Sequence, residues 1–300
     1  MLRLILSIAL LFAGAARGEE IVLDLTRDGL ERSALAVVPD GLDRPAPVIF
    51  VLHGVIETGA IIRAVTDRRF EDLGAEHGWV VVYPSAYLRV WNIGEGAGAA
   101  RILPTRDDLG YLDAVLAAVD ARVKIDRTRI FAAGFSQGGI MSFAWACKRP
   151  GTLRAIAVAG MALPALFADD CADHPPEGVL LAHATRDQVV PFEGGPLLSG
   201  PLAFMDLKSH QASVDFFRTN AGCTDDAEAA RYDRRDDATA VVRRTWTDCD
   251  RGAVEAWRIE GGGHRWPNGL PESPFAHLVG PVTQEFDGST AAFAFFSRFR

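Results

Sequence analysis

The chain has 300 residues, of which 49% are hydrophobic, and its formal net charge at pH 7 is −8. A chain of this length and apolar content can bury a large core as one domain, and no internal repeat or low-complexity linker divides it. The negative net charge argues against a nucleic-acid partner, because proteins that bind nucleic acids neutralise the phosphates with lysine and arginine.

Residues 1–18 have the pattern of a secretory signal peptide. Arg3 gives a basic start, Leu4–Phe12 is an apolar run, and small residues follow it. The run is too short to span a bilayer comfortably, although an uncleaved membrane anchor is the alternative. Cleavage could follow Ala15, Ala16 or Gly18. We therefore predict an exported protein, secreted or periplasmic, whose single domain covers residues 19–300 and has no stable membrane association.

An antiparallel hairpin is predicted first, from Ile21–Leu25 and Arg32–Val38. Apolar runs without alternation follow it, which is typical of strands buried on both faces of a parallel sheet. These runs are Val48–Leu52, Trp79–Tyr83, Ile130–Ala133, Ala155–Val158 and Val179–Ala182.

Helical stretches lie between the apolar runs. Apolar residues at spacings of three and four mark one helix face between Leu112 and Val123, just after two consecutive aspartates. Two late β-like runs and a C-terminal helix, capped by Asp287 or Ser289, complete the chain. The alternation predicts an α/β fold with a mostly parallel, twisted sheet and helices on both faces.

The cysteines Cys147, Cys171, Cys223 and Cys249 suit an oxidising compartment. They allow three pairings, of which we favour neighbours in sequence: Cys147 with Cys171 and Cys223 with Cys249. Four buried free thiols are the alternative, which the even count and the export signal disfavour. No C-x-x-C spacing indicates zinc. We predict no metal site and no cofactor.

Residues 134–138 form a G-x-S-x-G pattern centred on Ser136, between a β-like run and a helical segment. In that context the serine occupies a sharp, strained turn, and larger residues two positions away would collide with the neighbouring strand and helix. The following helix points its unpaired N–H groups toward the place where an oxyanion would form. Ser136 is therefore the predicted nucleophile.

A serine nucleophile needs a base within hydrogen-bond reach and an acid that orients the base. His264 follows three glycines at the end of a late strand, and Asp187 follows the fifth buried run. Both therefore lie beyond strand carboxyl ends, where sites form in such sheets. The alternatives are an ordinary glycine turn for His264 and a turn cap for Asp187. Ser136, Asp187 and His264 follow the chain order of an α/β-hydrolase triad.

Two backbone N–H groups are predicted to form the oxyanion hole. One belongs to Gln137, directly after the nucleophile, and the other to Val55, in the loop after His53-Gly54. His53 is predicted to be structural, and His183, inside a buried run, to be a core histidine.

Eight motifs of the chain resemble the polyhydroxybutyrate depolymerase-like family of secreted α/β-hydrolases, which is related to the feruloyl and acetylxylan esterases of carbohydrate esterase family 1. The matching motifs are Leu52-His53-Gly54, Tyr83-Pro84, Trp91-Asn92, Asp107 to Tyr111, Gly134 to Gly139, Asp187 to Phe192, Gly261 to Pro267 and Phe286 to Ser289. Together they run from about residue 46 to the C-terminus. The resemblance implies the same triad and supports both disulfide pairings.

The chain departs from the family pattern beside the predicted site. Ser85-Ala86 stand where the family usually has Asp-Gly, and Val55-Ile56 follow His53-Gly54 where a cysteine or glycine with a polar residue is common. These departures should alter pocket shape more than catalysis, since the oxyanion donor is backbone. No appended substrate-binding module follows the domain, which favours a soluble ester or short oligomer as substrate.

Aromatic residues on the loops near the site could stack on a sugar or phenolic ring. These are Tyr87, Trp91 and Trp266. The alternative is that they only pack in the site wall.

The sequence thus predicts a secreted serine esterase that hydrolyses carboxylic esters through an acyl-enzyme. It does not choose among hydroxyalkanoate oligomers, feruloylated sugars and acetylated xylan, and it leaves the oligomeric state open. The alternatives are a serine exopeptidase of the same fold and a catalytically silent binding protein.

Overall fold

The computed structural model describes residues 18–93, 105–197, 205–224, 226–271 and 279–299. The predicted signal peptide, apart from Gly18, lies outside these ranges. Within them, none of the helices has the length and apolar character that crossing a bilayer requires.

A ten-stranded sheet, in the order β1-β2-β4-β3-β5-β6-β7-β12-β11-β10, forms the centre of the molecule. Its strands are β1 (Glu19–Arg27), β2 (Leu30–Val38), β3 (Ala46–Leu52), β4 (Val80–Pro84), β5 (Ile125–Phe135), β6 (Ala155–Ala159), β7 (Gly178–Ala184), β10 (Glu228–Tyr232), β11 (Ala240–Trp246) and β12 (Ala253–Glu260). The stretch from β4 to β12 in this order is parallel, and antiparallel strands flank it on both sides. Two short strands, β8 (Gly195–Leu197) and β9 (Met205–Leu207), pair separately.

Helices cover both faces of this sheet. They are α1 (Gly59–Val65), α2 (Arg69–His77), α3 (Asp108–Asp120), α4 (Gln137–Lys148), α5 (Ala168–Asp173), α6 (His210–Asn220) and α7 (Gly288–Phe296). One apolar cluster joins the sheet to α3, α4 and α6, and a second joins the opposite face to α1, α2 and α7. The predicted α/β-hydrolase architecture is therefore confirmed.

The fully buried strands explain why the apolar runs could be recognised. All residues of β3, β4, β6 and β7 are buried, because side chains from each face enter one of the two apolar clusters. The predicted hairpin is also present, as β1 and β2 pair antiparallel at the sheet edge. At the C-terminal helix the cap is Asp287, whose Oδ1 accepts from the Thr290 N–H at 2.7 Å.

Both predicted disulfides are present. Cys147 is bonded to Cys171 and Cys223 to Cys249, and no free cysteine occurs among the described residues. The first pair links α4 to α5 inside the core, whereas the second is only partly buried.

Removing either disulfide should destabilise the fold, and the buried pair should matter more. The two pairs span 24 and 26 residues, so the chain-entropy model assigns each about 3.5 kcal/mol. Replacing Cys147 and Cys171 with alanine also removes packed sulfur atoms from the core, which adds to the loss. Urea unfolding of the wild type and of the two double-alanine variants measures the loss of unfolding free energy for each disulfide. Equal losses would contradict the packing contribution, and no loss in either would contradict the disulfides.

Candidate active site

Ser136 occupies a strained turn between β5 and α4. Its backbone has φ 53° and ψ −119°, an unusual conformation that costs on the order of 1–3 kcal/mol. A Cβ on Gly138 would lie 2.1 Å from the Leu52 carbonyl oxygen, and one on Gly134 would lie 2.3 Å from that of Gly138. The Ser136 N–H donates to the Ala159 oxygen at 2.9 Å. The flanking glycines are therefore required by close backbone approach, as the sequence predicts.

Asp187 and His264 lie at the same sheet edge because the strands that precede them are neighbours. β7 ends three residues before Asp187, β12 ends four residues before His264, and the two strands pair in parallel. The His264 N–H donates to the Val279 oxygen at 2.7 Å, and a Cβ on Gly263 would lie 2.1 Å from that same oxygen. This tight turn brings His264 Nδ1 to 2.7 Å from Asp187 Oδ2.

The Asp187 carboxylate has several hydrogen-bond donors. Its Oδ1 accepts from the N–H groups of Val189 at 2.9 Å and Val190 at 2.7 Å. Burial raises the pKa of Asp187, but hydrogen bonds from His183 and His264 outweigh it, so the pKa lies below its ordinary value. Because an ionised carboxylate only accepts, His264 Nδ1 carries the proton, and the lone pair of Nε2 is available to take another.

The His264 ring flanks the turn that holds Ser136. Its centroid lies 5.0 Å from that of Phe135, the residue just before the serine. A Cβ on Gly160 would lie in a tight approach of 3.3 Å to two atoms of the imidazole, and the φ of +62° at this position favours glycine. The structure thus brings the three predicted triad residues to one carboxyl edge of the sheet.

The two predicted oxyanion donors both belong to segments that adjoin Ser136. Gln137 begins α4, and a Cβ on Gly54, the residue before Val55, would lie 3.4 Å from the Ser136 Cβ. Within the described part of the chain, neither the Val55 N–H nor the Gln137 N–H has an acceptor. Both donors are therefore available to an oxygen bound beside Ser136.

His53 is fully buried and has a structural role at this edge. Its Nε2 accepts from the Ala86 N–H at 3.0 Å, so Nδ1 carries the proton and donates to the Gly54 oxygen at 2.6 Å. Burial lowers the pKa of His53 to about 4, despite the bond to Gly54, which keeps the ring uncharged at neutral pH. His53 thereby connects the Val55 loop to the loop after β4, in agreement with the structural role predicted for it.

Trp91 joins α4 to the loop after β3, the two segments that carry the predicted oxyanion donors. Its N–H donates to Gln137 Oε1 at 3.0 Å, and Gln137 Nε2 donates back to the Trp91 oxygen at 3.3 Å. Its indole N–H donates to the His53 oxygen at 2.9 Å, and its side chain is buried. Trp91 therefore fits the packing alternative rather than stacking on a substrate ring.

Trp266 is also buried, and its Nε1 donates to Ser289 Oγ at 3.3 Å. Its ring packs near Phe70 and Phe135. The packing alternative therefore describes Trp266 as well. Tyr87 is partly exposed, in a short 3-10 turn after β4, so it alone of the three predicted aromatic residues presents ring surface to solvent.

A buried ionic cluster near Trp91 was not predicted from the sequence. Asp108 Oδ2 accepts from the Asn92 N–H at 2.6 Å, and the carboxylate pairs with Arg32 and Arg106. Burial raises the pKa of Asp108, partly offset by the Asn92 N–H and the two guanidinium groups. The consecutive aspartates were visible in the sequence as a helix start, but nothing there indicated that one of them turns inward toward Arg32.

Exposed apolar side chains form a rim at the loop that carries Val55, the predicted oxyanion donor. Val55, Ile56 and Leu88 are 44%, 71% and 60% exposed. Ile56 and Leu88 both have positive φ, which is unusual for β-branched or bulky residues and is found most often in functional loops. The Ile56 N–H donates to the Arg89 oxygen at 2.8 Å, so the two strained loops are joined at the rim.

Comparisons with known proteins agree with this geometry. A family model described as "Phospholipase/Carboxylesterase" matches residues 109–204. Probable feruloyl esterase C from Aspergillus terreus is 30% identical over 199 residues, covering 64% of this chain and 67% of that protein. The Aspergillus oryzae protein of the same name is 29% identical over 225 residues, covering 70% and 78%.

Solved structures show the same fold at lower identity. An acetyl xylan esterase from Aspergillus awamori superposes with a TM-score of 0.60 at 14% identity and covers 92% of this chain and 99% of its own. Fold and relatives together define the class: an α/β-hydrolase that hydrolyses esters through a serine.

Within that class, the chain belongs to the feruloyl esterase C-like family. The part of the predicted resemblance that concerns feruloyl and acetylxylan esterases is confirmed, whereas the polyhydroxybutyrate depolymerase part is not.

Proposed function

We propose that Ser136, His264 and Asp187 form the catalytic triad of this esterase. The observation that carries the proposal is the 2.7 Å bond between His264 Nδ1 and Asp187 Oδ2, made beside the strained turn of Ser136. This arrangement has a nucleophile on a sharp turn, a base with an available nitrogen and an ionised acid behind it, which are the parts that acyl transfer requires.

In the first half-reaction, Ser136 Oγ attacks the ester carbonyl while His264 Nε2 takes the hydroxyl proton. The N–H groups of Val55 and Gln137 donate to the oxyanion that forms, and each such donor is worth about 10²–10³ in rate. The carbon–oxygen bond to the leaving alcohol then breaks, and His264 returns the proton to that alcohol. A water molecule repeats the sequence on the acyl-serine and releases the acid.

The favoured substrate is an ester of a hydroxycinnamic acid such as ferulic acid. The names of the relatives support this substrate. The apolar rim of Val55, Ile56 and Leu88 supports it as well, because an aromatic acid can make apolar contact with the rim, whereas an acetyl group is too small to cover it. An acetyl ester of a plant polysaccharide is the second candidate, supported by the acetylxylan esterase named among the relatives. The partner is in either case a small or oligomeric ester.

We also propose that the protein works outside the cytoplasm, secreted or periplasmic. The two disulfides support this location, because disulfides persist in oxidising compartments, and the signal-like pattern of residues 1–18 agrees with it.

A panel of substrates tests the proposed chemistry. Methyl ferulate, an aryl acetate, a hydroxybutyrate oligomer and a peptide anilide are compared by kcat/KM, with Ser136→Ala as the blank for each. We expect the feruloyl ester to give the highest value and the anilide to give none above the blank. Faster hydrolysis of the anilide would overturn the esterase proposal in favour of a peptidase, and a preference for the acetate or the oligomer would overturn the feruloyl assignment.

A further inference from the structure

His183 is a fully buried residue of β7 that contacts the acid of the proposed triad. Its Nε2 lies 3.4 Å from Asp187 Oδ2 and 3.1 Å from the Val190 oxygen. A carbonyl oxygen and a carboxylate only accept, so Nε2 carries the proton. It donates to the Val190 oxygen and faces the Asp187 carboxylate at the longer distance. His183 and His264 thus both face Oδ2 of Asp187.

The contact closes a ring of polar contacts around the turn that carries Asp187. The Val190 N–H donates to Asp187 Oδ1 at 2.7 Å, and the Val190 oxygen accepts from His183, whose Nε2 also faces Asp187 Oδ2. His183 therefore holds both ends of the turn that carries Asp187. Without the N–H of His183, the Val190 oxygen would lose this hydrogen bond.

Aromatic packing fixes the orientation of the His183 ring. The Phe192 ring lies 5.4 Å and the His210 ring 6.0 Å from it, centroid to centroid. The His210 ring stacks on the Phe192 ring at 5.0 Å, and the backbone N–H of His210 donates to the Phe192 oxygen at 2.9 Å. His183 cannot turn its N–H away from Asp187 without disturbing this packed group.

We propose that His183 is a positioning residue for esterase catalysis, acting through Asp187. Its N–H shares Oδ2 with His264 and limits rotation of the carboxylate, so that the oxygen stays directed at His264 Nδ1. The inference rests on the proposed triad. It revises the sequence prediction for His183, which explained the burial of the ring but gave it no part in the site.

Two substitutions at His183 distinguish the effect of the N–H donor from the effect of the aromatic ring. His183→Phe keeps an aromatic ring in the packed group but removes the N–H, and His183→Gln can place an amide N–H near the position of Nε2. Hydrogen bonds to charged groups of this kind correspond to roughly 10- to 100-fold effects. We expect His183→Phe to lower kcat for an ester by about that factor with KM within about twofold, and His183→Gln to recover most of it.

His210→Phe is the matched control. His210 is as buried as His183 and stacks in the same group, and it has no contact with Asp187 among the described residues. We expect this variant to keep the kcat of the wild type, and thermal unfolding of all three variants to show that they fold.

Two outcomes would overturn the proposal: a folded His183→Phe variant with unchanged kcat, or equal losses in the Phe and Gln variants, which would indicate packing alone. The proposed triad is tested separately. If Ser136→Ala remained active, the triad itself would fail, whereas an inactive Ser136→Ala beside a fully active His183→Phe would reject only the role of His183.

Discussion

Replacing Ser136 with alanine should lower kcat/KM for an ester by about 10⁵–10⁶-fold, because no other group can form the acyl intermediate. The residual rate would come from the oxyanion donors and from binding. The fold should persist, since the turn depends on Gly134, Gly138 and the backbone bond from Ser136 to Ala159. Steady-state hydrolysis and thermal unfolding measure the two effects.

Ser142→Ala is the matched control for that experiment. Ser142 is a buried serine on α4 whose hydroxyl donates to the Gly138 oxygen at 2.9 Å. Its loss should cost about 1 kcal/mol of stability and leave kcat/KM within a few-fold of the wild type. If Ser136→Ala kept as much activity as Ser142→Ala, the assignment of the nucleophile would be wrong.

Replacing Asp187 with asparagine should lower kcat by about 10⁴-fold through the tautomer of His264. The N–H groups of Val189 and Val190 both donate to Oδ1, so the asparagine must place its oxygen there. Its NH₂ group then faces His264 Nδ1, which must accept instead of donate. The ring proton moves to Nε2, and the nitrogen that should take the Ser136 proton is no longer free.

The matched control for Asp187→Asn is Asp287→Asn. Asp287 caps α7 through its Oδ1 and lies outside the proposed site, and asparagine is an equally good cap. This variant should keep full activity and stability within about 0.5 kcal/mol. An Asp187→Asn variant with more than a tenth of the wild-type kcat would contradict the orienting role of the carboxylate.

Much of the fold could be predicted because its signals are local. A strand such as β3 is buried on both faces, so its sequence is apolar without alternation, and the turn at Ser136 needs glycines at fixed positions. The choice between Asp287 and Ser289 as the cap of α7 could not be made locally, because both are capping residues. It follows from the structure, where Ser289 is buried and accepts from Trp266.

The site walls could not be predicted because they depend on contacts between distant residues. Trp91 is buried through bonds to His53 and Gln137, which are 38 and 46 positions away in the chain. The inward position of Asp108 depends on Arg32, 76 positions away. Even Glu71, which is buried in α2, is explained only by its ion pair with Arg63 on α1. Periodicity along one segment does not reveal such pairs.

The contact between His183 and Asp187 could not be predicted either, although the two residues are close in the chain. His183 lies four positions before Asp187, and its burial in β7 was predicted, but the contact between the two side chains depends on how the chain turns after the strand. That turn is set by the hydrogen bonds of Val189 and Val190 to the carboxylate. β7 ends at Ala184, so the apolar pattern that predicts this strand gives no information about the turn that follows.

The central claim is that Ser136 is the residue that becomes acylated. Intact-protein mass spectrometry after treatment with a fluorophosphonate, followed by peptide mapping, tests it most directly. The account predicts one phosphonyl group per chain, located on Ser136, with esterase activity lost in proportion to labelling. Labelling at another residue with loss of activity, or full activity in a chain fully labelled at Ser136, would contradict it.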